Sequence, residues 1–135
     1  INAKEKKILI VDDNMLNIKV ASRLLQQFGF DSIDSASSGE ECINKVKNNN
    51  YDLILMDDMM PKMTGSETFT HLKEIDGFKT PVIALTANAI SGMREKYIEY
   101  GFNDYLSKPI ERAELNRVVL KYLSWYNYYR WRIRI

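Results

Sequence analysis

Two pairs of adjacent carboxylates stand directly after short apolar runs in this chain. Asp12 and Asp13 follow the run ILIV, and Asp57 and Asp58 follow the run LILM. Runs of this length are too short for stable helices and are typical of strands buried on both faces. Carboxylates at the carboxyl ends of such strands lie where open α/β sheets place their chemistry. The two pairs are therefore the first candidates for a functional site.

Two further reactive side chains come at equivalent places. Thr86 ends the apolar run PVIALT, and Lys108 follows a short predicted strand at 103–106. In a parallel sheet these strand ends converge on one edge. Crowded carboxylates raise one another's pKa unless a cation intervenes, and their hard oxygens suit Mg²⁺. A lysine and a hydroxyl beside that ion would hold a transferring phosphoryl group, with a carboxylate as nucleophile. Asp57 is the best candidate for that nucleophile because it ends the central strand.

The elements that must position these residues alternate between strand and helix. The first predicted helix has Asn14 as its N-cap and Gly29 just beyond its end. Its apolar residues recur every fourth position, and this line consists of Leu16, Val20, Leu24 and Phe28. The predicted later elements cover residues 32–36, 39–47, 53–56, 66–75, 81–86, 90–100, 103–106 and 112–123. This alternation selects an α/β fold: a five-stranded, doubly wound parallel sheet with helices on both faces.

The composition is that of one globular domain of 135 residues, 45% apolar and 27% charged. The lone Cys42 excludes an internal disulfide, and without a plausible partner it is interpreted as structural. The lone His71 lies in a helical pattern, which favours a surface position over a phosphorylated histidine. No apolar stretch is long enough to span a membrane, so we expect a cytoplasmic location.

At these residues the chain resembles the receiver domain of two-component response regulators. The resemblance rests on four motifs in this order: ILIVDDN, YDLILMDDMMP followed by Gly65, PVIALTAN, and DYLSKPI. It covers residues 7–123, so it implies a receiver domain at 1–123 with a flavodoxin-like sheet. Asn14 together with GFNDYLSKPI is most similar to receivers of hybrid sensor histidine kinases. Free-standing regulators and regulators fused to DNA-binding domains remain alternatives.

The resemblance implies a phosphoacceptor module of a two-component phosphorelay. Such a module catalyses its own phosphorylation and dephosphorylation rather than turning over a separate substrate, and its parent protein can be a hybrid histidine kinase. Asp57 would take the phosphoryl group from a phosphohistidine of a histidine kinase or a histidine phosphotransfer protein. Lys108 would pair with that group, and its bond to Pro109 is usually cis in the family. Thr86 and Tyr105 would be the switch residues.

The resemblance also implies a Mg²⁺ site, with Mn²⁺ able to substitute. Asp13 and Asp57 would bind the ion directly, together with the backbone carbonyl of Met59, and Asp12 would act through water. Met59 and Asn88 occupy positions that tune the lifetime of the phosphoryl group in the family.

Asp58 departs from the family pattern, in which the residue after the phosphoacceptor is usually apolar. A carboxylate there could strengthen cation binding, or it could raise the barrier to phosphoryl transfer through repulsion. Alternation along the strand favours a third interpretation, in which Asp58 points away from the site.

The tail at 124–135 lies outside the family pattern. Its last eleven residues, WYNYYRWRIRI, hold three arginines and no acid, so the rest of the chain is mildly acidic despite the net charge of +1. That balance argues against nucleic-acid binding by the core domain. The tail is interpreted as a helix extension, a segment cut from a larger protein or an added segment, or as an adhesive strand for a partner or a second copy. Self-association could use this tail or the predicted switching face at 90–123. Single-stranded nucleic acid or an anionic membrane surface is a weaker option for so short a segment.

Three other functions remain open. The fold could serve as an interaction scaffold with little or no phosphorylation. A metal-dependent phosphohydrolase with an aspartyl nucleophile would need a general acid two residues further on, where this chain has Met59. A flavin-binding module would need a hydroxyl and glycine loop after the first strand, where this chain has Asp12, Asp13 and Asn14.

Overall fold

A computed structural model describes residues 3–87 and 93–123 of the chain. Its strands are β1 (Lys7–Val11), β2 (Ser32–Ala36), β3 (Leu53–Asp57), β4 (Val82–Thr86) and β5 (Asp104–Ser107). Its helices are α1 (Met15–Gln27), α2 (Gly39–Asn48), α3 (Gly65–Lys73), α4 (Met93–Tyr100) and α5 (Arg112–Leu123). The predicted start of the fourth helix at residue 90 and the tail at 124–135 lie outside the described residues. The other predicted bounds agree with the observed ones to within two residues.

The strands form one parallel sheet in the order β2-β1-β3-β4-β5. The chain leaves β1 toward one edge of the sheet and returns to build the other half from β3. This change of direction opens a crevice at the carboxyl ends of β1 and β3, which is where ligands bind in sheets of this kind. The predicted doubly wound α/β sheet is confirmed.

Side chains of the central strands alternate between two cores, one on each face of the sheet. In β3, Leu53 and Leu55 pack in the core that α1 and α5 cover. Ile54 and Met56 pack in the core that α2, α3 and α4 cover. All four are fully buried, as expected for a strand with a helical layer on each side.

The apolar line Leu16, Val20, Leu24 and Phe28 marks the predicted helix, but it is not the face of α1 that packs in the core. Leu16 and Val20 are 66% and 40% exposed. A helix has 3.6 residues per turn, so a line drawn every fourth residue drifts by about 40° at each step. The line therefore winds from solvent at Leu16 to partial burial at Phe28. The fully packed stripe follows steps of three and four residues instead, and it consists of Ile18, Ala21 and Leu25. The predicted N-cap is confirmed, because Asn14 Oδ1 accepts a hydrogen bond from the amide of Leu16.

Gly65 allows α3 to begin against the end of β3. A Cβ atom at this position would clash with the carbonyl oxygen of Asp57 and would lie 2.8 Å from Asp58 Cα. The Gly65 amide instead donates a hydrogen bond to the carbonyl oxygen of Asp58 at 3.0 Å. A capping box between Thr64 and Glu67 closes the same helix start. The connection from β3 to α3 is thereby fixed at both of its ends.

The features interpreted as structural behave accordingly. Cys42 is buried, and this burial raises the pKa of its thiol to about 12, so the thiol stays protonated. His71 is exposed on α3. In the part of the chain that the structure describes, no helix combines the length and the apolar composition of a membrane span.

Replacement of Leu55 by Ala should lower the free energy of unfolding by about 2 to 5 kcal/mol, because the side chain is fully buried in β3 and would leave a cavity. Urea unfolding measures the change. Leu120→Ala is the matched control: that leucine is 48% exposed on α5, so its loss should change stability by about 0.5 kcal/mol or less. Equal effects of the two substitutions would contradict the packing described here.

Candidate functional site

Three carboxylates meet at the carboxyl ends of β1 and β3. Asp12 and Asp57 are 0% and 2% exposed, whereas Asp13 is open to solvent. One oxygen from each of the three lies within 4.8 Å of the other two. Asp12 follows β1 and Asp57 ends β3, and these strands are neighbours in the sheet. The sheet order therefore brings together three of the four acids that the sequence singled out.

Lys108 supplies the positive charge of this cluster. Its Nζ lies 2.7 Å from Asp57 Oδ1 and 3.1 Å from Asp12 Oδ2. The Lys108 amide donates to the carbonyl oxygen of Thr86 at 2.8 Å, which holds the connection after β5 against the end of β4. The peptide bond between Lys108 and Pro109 is cis, in agreement with the resemblance.

Burial and charge shift the pKa values of the central pair. Burial raises the pKa of Asp57, and the charge of Asp12 adds to the rise while Lys108 opposes it. Burial acts to lower the pKa of Lys108, but hydrogen bonds and charges from Asp57 and Asp12 outweigh it, so that pKa is raised. The ammonium thus remains charged at neutral pH.

The donor set fits a divalent cation. Among the described residues, Asp12 Oδ2 is a buried oxygen that accepts no hydrogen bond of regular geometry, although the Lys108 ammonium is nearby. Buried carboxylate oxygens are ordinarily satisfied, so this one is open to a further ligand. The three carboxylates also outnumber the single ammonium, and hard oxygens of this kind suit Mg²⁺.

The predicted switch residues lie on the other side of the sheet from α1 and α5. Thr86 ends β4 and is 3% exposed, and its Oγ1 is 3.5 Å from the Tyr97 hydroxyl of α4. Tyr105 in β5 pairs in register with Ala84, two residues before Thr86, so both switch side chains point to the same face. Tyr105 is half-buried and packs against the core under α2, α3 and α4.

Asp58 points away from the acidic cluster. Its Oδ1 accepts hydrogen bonds from the Ser66 amide at 3.1 Å and the Ser66 hydroxyl at 3.0 Å. Its Oδ2 accepts a hydrogen bond from the Tyr97 hydroxyl at 2.8 Å. This orientation follows from strand alternation, because Asp57 continues the side of Leu55 and Asp58 the side of Met56. Asp58 is therefore tied to α3 and α4.

Of the residues predicted to tune the phosphoryl lifetime, Met59 lies at the rim of the site and is 73% exposed. Its amide donates to Asp57 Oδ1 at 3.2 Å. Asn88 lies outside the described residues.

Sequence reasoning did not single out Tyr97, the partner of Asp58. A tyrosine in a helical pattern carries no signal that it approaches the end of a distant strand, since sequence spacing does not report how α4 docks. The signal in the sequence that could have indicated such a contact was Asp58 itself, because an acid that is partly buried beside a strand end requires a hydrogen-bond partner.

A cleft of about 190 Å³ opens beside the acidic cluster, between α1 and the connection from β5 to α5. Asp12 and Lys108 form its polar side, and Leu16, Val20 and Ile110 contribute apolar walls. The leucine and valine that α1 leaves exposed therefore border the site.

A family model described as the response regulator receiver domain matches residues 8–120. The chain belongs to this family. The resemblance predicted from the four motifs is thereby confirmed, and the carboxylate cluster with Lys108 lies in a receiver domain.

Curated relatives of this receiver are much longer proteins. Two-component system protein A of Emericella nidulans is 38% identical over 124 residues, which cover 90% of this chain and 18% of that protein. The osmosensing histidine protein kinase SLN1 of Saccharomyces cerevisiae is 35% identical over 130 residues, which cover 93% of this chain and 11% of that protein. The chain thus spans less than a fifth of the length of either relative.

Solved receivers share the fold. The receiver domain of a sensor histidine kinase from Pseudomonas aeruginosa, with a magnesium ion in its active-site cleft, has a TM-score of 0.78 and 35% identity, covering 87% of this chain and 96% of that one. The receiver domain of a response regulator from Saccharomyces cerevisiae, crystallised with its histidine phosphotransfer protein, has a TM-score of 0.77 and 26% identity. That match covers 87% of this chain and 88% of the other.

Replacement of Lys108 by Met should lower the free energy of unfolding by about 3 kcal/mol at pH 7, because it leaves buried Asp12 and Asp57 without their cation. Loss of Lys108 also removes a cause that lowers the pKa of Asp57, so this pKa rises further. The loss of unfolding free energy in Lys108→Met should be largest above the pKa of Asp57. It should shrink as the pH falls through that pKa, because protonation removes the unpaired charge of Asp57.

Urea unfolding at a series of pH values, from neutral pH down through the raised pKa of Asp57, would measure this loss of stability. Lys121→Met is the control, since Lys121 is 59% exposed and lies 3.8 Å from Asp104. A deficit that does not depend on pH would contradict the role given to Lys108.

Proposed function

We propose that this receiver domain accepts a phosphoryl group on Asp57 within a two-component phosphorelay. The observation that carries the proposal is the buried Asp57 carboxylate at the end of the central strand, with the Lys108 ammonium 2.7 Å away and two further acids beside it. A carboxylate in this setting can act as a nucleophile, and the charge that develops on a phosphoryl group meets a fixed ammonium.

In the proposed reaction, a carboxylate oxygen of Asp57 attacks the phosphorus of a phosphohistidine. A bond forms between oxygen and phosphorus as the bond between phosphorus and the imidazole nitrogen breaks, and the electron pair stays on the imidazole. Lys108 neutralises the oxygens of the transferred group, and the Thr86 hydroxyl donates a hydrogen bond to one of them. Water later attacks the same phosphorus, the bond between phosphorus and the Asp57 oxygen breaks, and inorganic phosphate and a proton leave as the carboxylate is restored.

Asp12, Asp13 and Asp57, with the backbone carbonyl of Met59, would hold Mg²⁺. The ion would supply charge neutralisation for the phosphoryl oxygens. Mn²⁺ should substitute, because carboxylate and carbonyl oxygens suit both metals. The magnesium ion in the Pseudomonas aeruginosa receiver supports this assignment.

The proposed donor is a protein phosphohistidine, on a histidine kinase or a histidine phosphotransfer protein. Support comes from the apolar walls of the cleft beside the acidic cluster, where Leu16 and Val20 are 66% and 40% exposed. Exposed apolar side chains grouped around a polar site are typical of a protein-binding surface. The Saccharomyces cerevisiae complex of a receiver with a phosphotransfer protein supports a donor of this class.

The same proposal includes a receiver domain at 1–123 followed by a separate tail, and a cytoplasmic location for the domain. Thr86 and Tyr105 are its proposed switch residues. Self-association through the 90–123 face would use Ile98 and Leu120, which are 49% and 48% exposed. Residues 90–92 and the tail lie outside the described part of the chain.

The alternative functions have less support. Met59, two residues beyond Asp57, has a thioether side chain that cannot donate a proton, so the general acid of a phosphohydrolase is missing there. Asp12 and Asp13 would repel a flavin phosphate at the end of β1. The paired Lys108 and the carboxylate cluster favour phosphorylation over a pure scaffold.

Acetyl phosphate with Mg²⁺ should add one acid-labile phosphoryl group to the wild-type chain and none to Asp57→Asn, because the amide is not a nucleophile. Intact-mass spectrometry before and after acid treatment measures the addition. Asp76→Asn, which removes an exposed acid in the turn after α3, should still be labelled. Chelation of Mg²⁺ should prevent labelling. Undiminished labelling of Asp57→Asn would refute the proposed acceptor.

Replacement of Leu16 by Asp should slow phosphoryl transfer from a phosphorylated histidine phosphotransfer protein by about tenfold, because a charge replaces an apolar contact. Labelling by acetyl phosphate should be unchanged, since this small donor does not need the apolar walls. Leu120→Asp is the matched control on α5, away from the cleft. Equal slowing with both donors would show that Leu16 acts on the reaction rather than on docking.

A further inference from the structure

A second cleft, of about 410 Å³, lies between α3 and α4 on the side of the sheet opposite α1. Asp58, Ser66, Tyr97 and Tyr100 contribute to its walls. The reaction proposed above uses none of these side chains. Asp58 is nevertheless the neighbour of Asp57 in the chain, and the Tyr97 hydroxyl lies 3.5 Å from that of Thr86, the proposed switch residue. The cleft therefore borders the proposed reaction site on the α3 and α4 side of the sheet.

Hydrogen bonds from both its backbone and its side chain hold Asp58 in place. Its amide donates to the carbonyl oxygen of Leu85 at 3.2 Å, and its carbonyl oxygen accepts from the Gly65 amide at 3.0 Å. Its carboxylate holds the Ser66 amide and hydroxyl with one oxygen and the Tyr97 hydroxyl with the other. Ser66 lies in the first turn of α3, where a negative charge is favourable. A single side chain thus fastens both α3 and α4 to the end of β3.

Tyr97 cannot easily leave this position. It is 5% exposed, and its ring meets that of Phe102 edge-on at 5.7 Å between centroids. Burial raises the pKa of its hydroxyl, which therefore remains a donor. The Tyr97 hydroxyl donates to Asp58 Oδ2 at 2.8 Å, and it makes a longer contact of 3.5 Å with Thr86 Oγ1.

We propose that Asp58 and Tyr97 are positioning residues that hold the Thr86 hydroxyl toward α4 when Asp57 carries no phosphoryl group. The inference rests on the proposed function, in which Thr86 donates to a phosphoryl oxygen on Asp57. That donation withdraws Thr86 from Tyr97. Whatever favours the contact between Thr86 and Tyr97 therefore lowers the affinity of the site for a phosphoryl group.

The test measures the affinity of the full chain for beryllofluoride, a non-covalent mimic of the phosphoryl group, at saturating Mg²⁺. Tyr97→Phe keeps the ring and removes only the hydroxyl, so it should raise the affinity by about two- to tenfold, as expected for one hydrogen bond. Asp58→Ala should raise it by a smaller factor. The double variant should match Tyr97→Phe alone, because Asp58 acts through Tyr97.

Two controls separate positioning from general loosening of the cleft. Tyr100→Phe removes a hydroxyl in the same helix that bonds to Thr70 at 2.6 Å, and it should leave the affinity unchanged. Ser66→Ala removes one hydrogen bond to Asp58 without touching Tyr97. It should also have no effect. If Asp58→Ala does not fold, the comparison of beryllofluoride affinity between Tyr97→Phe and Tyr100→Phe still tests the positioning role.

A second readout does not depend on phosphoryl chemistry. The ¹³C-methyl NMR signal of Thr86 in the unliganded chain should shift in Tyr97→Phe and in Asp58→Ala, and it should not shift in Tyr100→Phe. If wild-type protein binds no beryllofluoride but this signal shifts, the proposed function fails and the positioning role stands. If wild-type protein binds beryllofluoride, and Tyr97→Phe changes neither this affinity nor the Thr86 methyl signal, the positioning role is overturned while the proposed function stands.

Discussion

The Lys108 ammonium between two buried carboxylates is the interaction on which this edge of the sheet depends. Asp12 and Asp57 come from neighbouring strands and are almost completely removed from solvent. Two acids in that position repel each other, and one would take up a proton without a nearby cation. Lys108 can supply the charge because β5 pairs with β4 and the Lys108 amide is held by the carbonyl oxygen of Thr86. The site is thus a consequence of strand order.

Strand alternation then places Asp57 and Asp58 on opposite faces of the sheet. Asp57 continues the side of β3 that faces α1 and α5, where the cleft with its apolar walls opens. Asp58 continues the other side and meets Ser66 and Tyr97. A shift of one residue in β3 would exchange these two carboxylates, placing the acid that lacks Lys108 in the cluster. The register of one strand therefore distinguishes the proposed phosphoacceptor from the acid that binds α3 and α4.

Much of this arrangement could be predicted from the sequence, because strand ends in a parallel sheet converge whatever the details of packing. The five strands, the acidic cluster and Lys108 followed from that rule. The packed stripe of α1 did not, because apolar residues cover more of the helix than the core can accept, and Leu16 and Val20 are left exposed. The contact between Asp58 and Tyr97 joins residues 39 positions apart and depends on how α4 docks. No local pattern encodes that docking.

Two other acids, the buried Asp104 and the half-buried Asp34, show what sets this site apart. Burial also opposes ionisation of Asp104, but hydrogen bonds and charge from Arg117, with further hydrogen bonds from Tyr105 and Tyr122, outweigh it, so the pKa of Asp104 is lowered. Hydrogen bonds from Tyr51 and Lys45 overcome burial in the same way and lower the pKa of Asp34. Acids of that kind stabilise the fold at neutral pH, and the contribution is lost only as the pH falls through their lowered pKa values.

Asp57 behaves in the opposite way: its pKa is raised, so its ionisation at neutral pH costs stability even with Lys108 beside it. Asp12 next to it retains a buried oxygen without a regular hydrogen bond. A fold that satisfies Asp34 and Asp104 so fully could have satisfied these two acids with further donors. This deficit agrees with the proposed function, because the charges of a bound cation and a phosphoryl group would complete the neutralisation that Lys108 begins.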